Sequence, residues 1–416
     1  MPVRPAPHRL TLAVMAVAAL GFAATGCDSS SATSGGNSAA SSTTHGANVP
    51  AVPTKTEPSV APAAVISTNV DKGATDVAVD TAVSVRAHEG TLDAVRFARV
   101  GGDQPISGRF NAAHTRWTAG DLLEPGTHYL LSAKANNADG RSSQAHTPFQ
   151  TRALTLDEQT YPSMTPLDGE KVGVGMPVFV QFDVPVKNHA AFERHMHVSA
   201  KPETVGSWHW VSDTEAHWRP RQYWQPDTRV HVDLDLNGVA AGNGIYGQMD
   251  RSLDFTVGRS VIMQANIRSD EMRVMVDGRL ARTIPITGGK PGFETRSGTK
   301  LIVEKFESKR MDAATVGIQP GDPEYYNIPE VEYAQRVTFS GEFLHAAPWS
   351  TGDQGVSNVS HGCVGMSTAN GAWLFNLTLR GAPVEVTGTE RGLESGNGWT
   401  DWNQSFADYK QASALS

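Results

Sequence analysis

Trp117-Thr118-Ala119-Gly120-Asp121-Leu122-Leu123-Glu124-Pro125-Gly126-Thr127 returns as Trp218-Arg219-Pro220-Arg221-Gln222-Tyr223-Trp224-Gln225-Pro226-Asp227-Thr228, offset by 101 residues (218 minus 117). The tryptophan and the Pro-x-Thr turn keep the same offset. Each copy runs on into an alternating segment, 129–135 in the first and 230–236 in the second. Each also opens on a turn and a period-2 valine series. These are Gly73 with Val77, Val79, Val83 and Val85, then Gly169 with Val172, Val174, Val178 and Val180. Alternation of this kind turns one face of a strand to a core. With turn residues every 8–12 positions and about 100 residues per unit, two antiparallel β-sandwiches are expected, at 65–154 and 155–258. Trp208, Trp210, Trp218 and Trp224 are expected to pack the core rather than to stack on sugar rings.

The rest of the 416-residue chain has a different texture. Hydrophobic residues are 39% and charged residues 19%, enough apolar surface to build large cores. Acidic residues outnumber basic ones 43 to 35, a net charge of −8, which argues against a nucleic-acid partner. Two cysteines, Cys27 and Cys363, exclude a disulfide-stapled scaffold and a four-cysteine zinc site. His195-Met196-His197 has no third ligand nearby, so neither a metal nor a cofactor is expected.

Arg4, His8 and Arg9 precede an apolar run at 10–24 that is too short to span a bilayer. It ends in Ala24-Thr25-Gly26-Cys27, which resembles a bacterial lipobox, with Ala24 where leucine is usual. Residues 1–27 are therefore expected to be a lipoprotein signal, with Cys27 lipidated and the protein held on the outer face of the cell membrane. Residues 28–64, rich in Ser, Thr, Ala, Gly and Pro, are expected to be a disordered tether. That leaves Cys363 without a disulfide partner in an extracytoplasmic protein, which flags a reactive thiol.

From 259 onward, strands are expected at 261–267, 272–276, 281–287, 301–306, 336–345 and 384–386. Between them lies a long irregular stretch, 307–332, of the kind that forms a functional lid. Ser367 is expected to cap a short helix ending near Arg380-Gly381. Residues 259–388 would form one β-rich unit, and the aromatic tail at 389–416 would pack on it. The chemistry concentrates in His345-Ala346-Ala347-Pro348-Trp349-Ser350 and Val359-Ser360-His361-Gly362-Cys363-Val364-Gly365-Met366-Ser367. A thiolate is a nucleophile, and an imidazole can generate it. Cys363, in a glycine-containing turn just before the helix start, would have backbone N–H groups and a helix dipole to favour negative charge.

These residues resemble the L,D-transpeptidase signature: a histidine, a spacer of about sixteen, then Ser/Thr-His-Gly-Cys. His345 and His361 are 16 apart, and Ser360-His361-Gly362-Cys363 is complete. Gly288-Gly289-Lys290-Pro291-Gly292, Phe339-Ser340-Gly341 and His345-Ala346-Ala347-Pro348-Trp349 also fit blocks of that family. Its actinobacterial members carry immunoglobulin-like modules ahead of the catalytic domain, as the repeat here would require.

The resemblance implies a peptidoglycan crosslinking enzyme. His345 would take the proton of Cys363, and Cys363 would attack a stem tetrapeptide, release D-Ala and form a thioester. A neighbouring stem's amine would then complete a 3→3 crosslink. Backbone N–H groups of Gly362 and Cys363, with Tyr326 as the lid tyrosine, would hold the oxyanion, and His361 would shape the loop. Ser340, Gly341 and Gly365 would contact substrate, and carbapenem β-lactams would acylate Cys363. Gly365 stands where the family usually has Asn. The expectation is a looser loop, slower catalysis, and a gain in acylation on Gly365→Asn. Water in place of the acceptor amine would make the same site an L,D-carboxypeptidase, and Gly365 also leaves open a weakly catalytic wall-binding scaffold.

Overall fold

The strand His128–Asn136 buries Tyr129, Leu131, Ala133 and Ala135 and turns the intervening residues outward, the alternation the sequence shows. It is a central strand of one of two four-stranded sheets that enclose the first core, around Phe97, Trp117, Tyr129 and Phe149. Val65–Thr68, Ser84–His88, Arg116–Ala119 and Gly108–Phe110 build the facing sheet. The computed structural model describes residues 61–416. The signal segment, Cys27 and residues 28–60 of the expected tether lie outside the described residues. Residues 61–64 are already packed: Asn137 Nδ2 donates to the carbonyls of Ala61 and Pro62 at 3.2 and 2.9 Å, and Ala64 is buried.

The second repeat forms a second pair of sheets around a larger core that contains all four of the clustered tryptophans. It departs from a purely antiparallel plan twice: Lys171–Val172 pairs parallel with Arg251–Val257, and Gln159–Thr160 pairs parallel with Ile245–Gly247 in a small additional sheet with Ala240–Gly242. The repeat is also built into the side chains. In each copy the recurring tryptophan lies over a glycine of the neighbouring strand. A Cβ on Gly108 would sit 2.1 Å from Trp117 Cζ2, and one on Gly206 would sit 2.1 Å from Trp218 Cζ2. Gly126 and Asp227, at the same place in the two Pro-x-Thr turns, both have φ of 61°.

The remaining strands make two further sheets. Arg279–Pro285, Glu271–Val276, Val261–Asn266, Pro383–Thr387 and Gly298–Leu301 form the first. Glu304–Asp312, Asn327–Arg336, Phe343–Ala346 and Val364–Met366 form the second. The helix Thr368–Leu377, capped by Ser367 Oγ on the Asn370 amide at 3.3 Å, packs on the second sheet.

Three expectations need correction here. The stretch 307–332 is not irregular throughout: residues 307–312 and 327–332 belong to the hairpin Glu304–Asp312 and Asn327–Arg336, and 313–326 links the strands. Pro329, which reads as a breaker, sits beside the register shift between Lys309 and Met311, where a residue without an N–H is tolerated. The expected strand 336–345 is interrupted, because Gly341, at φ 101°, turns the chain between Arg336 and Phe343. The expected strand 301–306 is divided between the two sheets.

The C-terminal tail packs on more than the unit where the sequence places it. Asn403 exchanges hydrogen bonds with the Thr299 backbone at 2.7 Å each, and Asn397 with Ser340 at 2.9 Å each. Trp402 Nε1 donates to Gly175 O of the second sandwich at 2.7 Å. The buried Arg219 guanidinium lies 4.6 Å from the Trp402 ring and 4.3 Å from the Tyr409 ring. His217 bridges Glu215 and the buried Asp401 at 2.8 Å each.

Burial alone would push the His217 imidazole down, but the Asp401 charge and the bonds to Asp401 and Glu215 raise it to about 9. A raised imidazole stabilises fully below its ordinary 6.5 and loses that contribution as pH climbs to about 9. The melting temperature is therefore expected to fall between pH 6.5 and 9. The His217→Gln protein, less stable at pH 6, should lack this decline; a wild type with a flat profile would contradict the assignment.

Candidate active site

The loop that carries the candidate nucleophile is held by the segment before it in space. Thr287 and Gly365 exchange backbone hydrogen bonds at 3.0 and 2.9 Å, Ser360 N donates to Gly288 O at 2.9 Å, and Lys290 N donates to Ser360 O at 2.9 Å. Asn358 adds two bonds, accepting from Gly288 N and donating to Ile267 O. Within the loop, Ser360 Oγ donates to Cys363 O at 2.6 Å and accepts from Gly362 N at 3.1 Å. Gly362 has φ of 117°, a conformation that glycine adopts at little cost.

This stitching places Cys363 in a cavity of about 290 Å³, with His345, His361, Tyr326, Gly365, Met311 and Trp349 among its lining. Cys363 is buried, and its thiol donates to Gly341 O at 3.7 Å. Burial pushes the thiol up to about 12, partly opposed by the Phe343 N–H that faces the sulfur. His345 is buried on the strand Phe343–Ala346. Its Nδ1 lies 2.7 Å from Ala346 O. A carbonyl only accepts, so Nδ1 carries the proton and Nε2 is left as the bare acceptor. Burial lowers the imidazole below its ordinary range and keeps it neutral. The site therefore rests as a neutral thiol and a neutral imidazole on one cavity, the pairing from which a proton transfer starts.

His361 faces a different partner. Its Nε2 meets Glu324 Oε2 at 2.8 Å, and its ring packs between Phe293 and Tyr326, with centroids at 4.7 and 4.9 Å. Glu324 also binds Lys290, and these two bonds hold its carboxyl below the usual range, the Lys290 bond contributing more. The linker 313–326 is thus fastened to the loop that bears His361. Tyr326 reaches the cavity, and its hydroxyl, pushed up to about 12 chiefly by burial, stays protonated.

Four sequence expectations change. Cys363 does not abut the helix: the strand Val364–Met366 lies between them, so the sulfur-bearing residue is not at the start of that helix. The Gly362 amide is already donated to Ser360 Oγ, which leaves the Cys363 amide as the candidate oxyanion donor of the two. Ser340 lies away from the cavity, bound to Asn397 of the tail, whereas Gly341 meets the thiol through its carbonyl. Gly365 is not a loose loop position, since it pairs on one side with Thr287 and on the other with His345. A Cβ there would lie 3.0 Å from Ala347 Cβ and 3.1 Å from Thr287 Cγ2. Gly365→Asn is therefore expected to acylate no faster than wild type, and slower if Thr287 is displaced. Stopped-flow acylation checks this, and a faster variant would restore the loop reading.

The sequence reading left Glu324, Lys300 and Glu342 unmarked, because single charged residues in exposed-looking patterns give no periodic signal. Thr287 and Ile328 also line the cavity, and only the adjoining Gly288-Gly289 block pointed near them.

Residues 74–240 match the family model for a bacterial Ig domain, and residues 260–386 match that for an L,D-transpeptidase catalytic domain. The chain is 33% identical over 350 residues to L,D-transpeptidase 2 of Mycobacterium tuberculosis, covering 84% of this chain and 85% of that protein. The chain belongs to the L,D-transpeptidase family. This L,D-transpeptidase is also 32% identical to L,D-transpeptidase 5 of Mycobacterium tuberculosis over 351 residues, 82% of this chain and 75% of that one. Among solved structures it aligns with an LD transpeptidase, LdtMt1, in complex with imipenem, at 36% identity and a TM-score of 0.47. That alignment covers 54% of this chain and 97% of the other. In this L,D-transpeptidase both matched regions are mainly β.

Proposed function

We propose that this enzyme forms 3→3 crosslinks between peptidoglycan stem peptides through a thioester on Cys363. The observation that carries the reading is a buried thiol and a bare, neutral imidazole nitrogen on one cavity, in a loop fixed from both sides. His345 Nε2 accepts the Cys363 proton as the sulfur attacks the carbonyl that joins the third stem residue to its terminal D-Ala. The developing oxyanion takes hydrogen bonds from the Cys363 amide and from the Tyr326 hydroxyl. The proton on His345 passes to the departing D-Ala amine, and the thioester remains. A neighbouring stem's side-chain amine then attacks the thioester and gives up a proton to His345 Nε2, the amide forms as the C–S bond breaks, and His345 passes that proton to the leaving thiolate. Preorganised donors of this kind are each worth about 2.7–4 kcal/mol of barrier.

The wild-type protein incubated with a carbapenem should gain the mass of one drug molecule on Cys363, since a small bicyclic acyl donor fits the cavity. Absence of any adduct would overturn the reading in favour of a wall-binding scaffold. Water in place of the amine would give a tetrapeptide shortened by one residue without dimer, the carboxypeptidase outcome.

Lipid anchoring at Cys27 is part of the same proposal, supported by the apolar run 10–24 and Ala24-Thr25-Gly26-Cys27. Two acyl chains give stable membrane attachment. The Cys27→Ala protein is expected to leave the membrane fraction or to remain unprocessed on fractionation. Normal cleavage with full membrane retention would contradict it.

A further inference from the structure

Lys300 and Glu342 form an ion pair with side chains 0% and 4% exposed, beside the nucleophile loop, and neither residue lines the cavity. Lys300 stands on the strand Gly298–Leu301 of one sheet. Glu342 stands in the turn that leads into the strand Phe343–Ala346 of the other. Glu342 is fully engaged, taking the Lys300 ammonium, the Arg296 amide at 3.1 Å and Arg296 Nη1 at 3.0 Å. Arg296 in turn holds the half-exposed Glu394 through Nε at 2.6 Å. Ion pairs this deep cost desolvation and often add nothing to stability, so their position is the informative fact.

That position surrounds the sulfur. The residue before Glu342 supplies the carbonyl that accepts from the Cys363 thiol, and the residue after it supplies the N–H that faces the sulfur. The Glu342 side chain lies against Gly362, where a Cβ would come within 3.4 Å of Oε1 and 3.5 Å of Cγ. Moving the carboxylate would therefore move both backbone partners of the thiol and the residue that precedes it.

We propose that the Lys300–Glu342–Arg296 cluster is the positioning platform of Cys363 and sets the negative charge that its sulfur can carry. The proposal rests on Cys363 being the nucleophile. The cluster touches no reacting atom and acts through the turn and the loop. Its two main charges act on the sulfur in opposite senses: Glu342 disfavours the thiolate, whereas Lys300 favours it, with Arg336 adding to Lys300. His345, His361 and Tyr326 share the cavity with the sulfur and are left unchanged by substitutions in the cluster.

The opposed signs give a test that a merely structural role would not pass. Alkylation of Cys363 by iodoacetamide at pH 8 is followed by mass, together with the melting temperature of each protein. Glu342→Gln should alkylate faster than wild type and Lys300→Met slower. The change is about threefold in rate for each tenfold change in thiolate fraction, because nucleophilicity falls as the thiol becomes more acidic. Shifts in the same direction, or no shift in either variant, overturn the proposal. Should a single variant fail to fold, Lys300→Met/Glu342→Leu is read instead. It removes both charges and should alkylate faster than wild type, because Glu342 opposes the thiolate more strongly than Lys300 supports it. A rate at or below wild type overturns the proposal. Alkylation needs no turnover, so these outcomes are independent of the carbapenem adduct that tests the function itself.

Discussion

The Cys363→Ala protein is expected to form no carbapenem adduct and no crosslink while keeping a melting temperature close to that of wild type. The two halves of that result have separate causes. Cys363 is the free cysteine among the described residues, and neither Ser360 nor Tyr326 can replace it. The Ser360 hydroxyl is committed to the Cys363 carbonyl and the Gly362 amide, and the Tyr326 hydroxyl is held protonated by burial. No substitute nucleophile remains, so the loss is complete rather than partial. The fold is affected little, because the loop is held by backbone bonds to residues 287–290 and by Asn358, none of which uses the sulfur. Removing one buried heavy atom beside Met311, Val331 and Phe343 costs about 1 kcal/mol, or about 2–4 °C in a domain of 150–250 residues. Intact-mass spectrometry and thermal unfolding check both halves. An acylated Cys363→Ala protein would mean that the nucleophile is misassigned.

His345→Gln is expected to lower the rate of acylation by about 10²- to 10⁴-fold with little change in drug binding, the usual contribution of a positioned general base. The thiol, held up near 12, offers almost no thiolate at neutral pH, so the loss of its proton acceptor falls directly on the chemical step. The pH dependence carries the sign. His345 must be neutral to accept a proton, and burial lowers its titration below 6.5. Acylation should therefore stay level as pH falls to 6.5 and decline only at lower pH. Transient kinetics on both proteins separate binding from acylation. A His345→Gln protein that acylates as fast as wild type would remove His345 from the role of base.

The two sandwiches were legible because their signal is local and repeated. Alternating valines, a tryptophan and a Pro-x-Thr turn recur at one offset, and each maps onto a strand, a core side chain or a turn. The hairpin Glu304–Asp312 with Asn327–Arg336 was hidden for the opposite reason. It buries few side chains along its length, so alternation is weak, and Pro329 at its bulge looks like a stop. The candidate site was legible where its residues are close in sequence: His345, His361 and Cys363 do line one cavity. Gly365 was misread because the absence of a side chain looks the same in a loose loop and in a tight strand; only the 3.0 and 3.1 Å approaches distinguish them. The tail's docking on the second sandwich joins residues far apart in the chain, such as His217 and Asp401 at a separation of 184, and no local pattern carries such a pairing. Lys300 and Glu342 carry no local pattern that marks them, and only the fold buries them together.

The most direct test of the central claim is a single incubation of the purified enzyme with a disaccharide-tetrapeptide stem, followed by mass spectrometry of the products. The account predicts a dimer lighter than two substrates by one alanine, with fragmentation that places the new bond between the third residues of the two stems. It also predicts a thioester on Cys363, trapped by acid quench. A product mixture without that dimer, and a Cys363 that never carries the stem peptide, would contradict it.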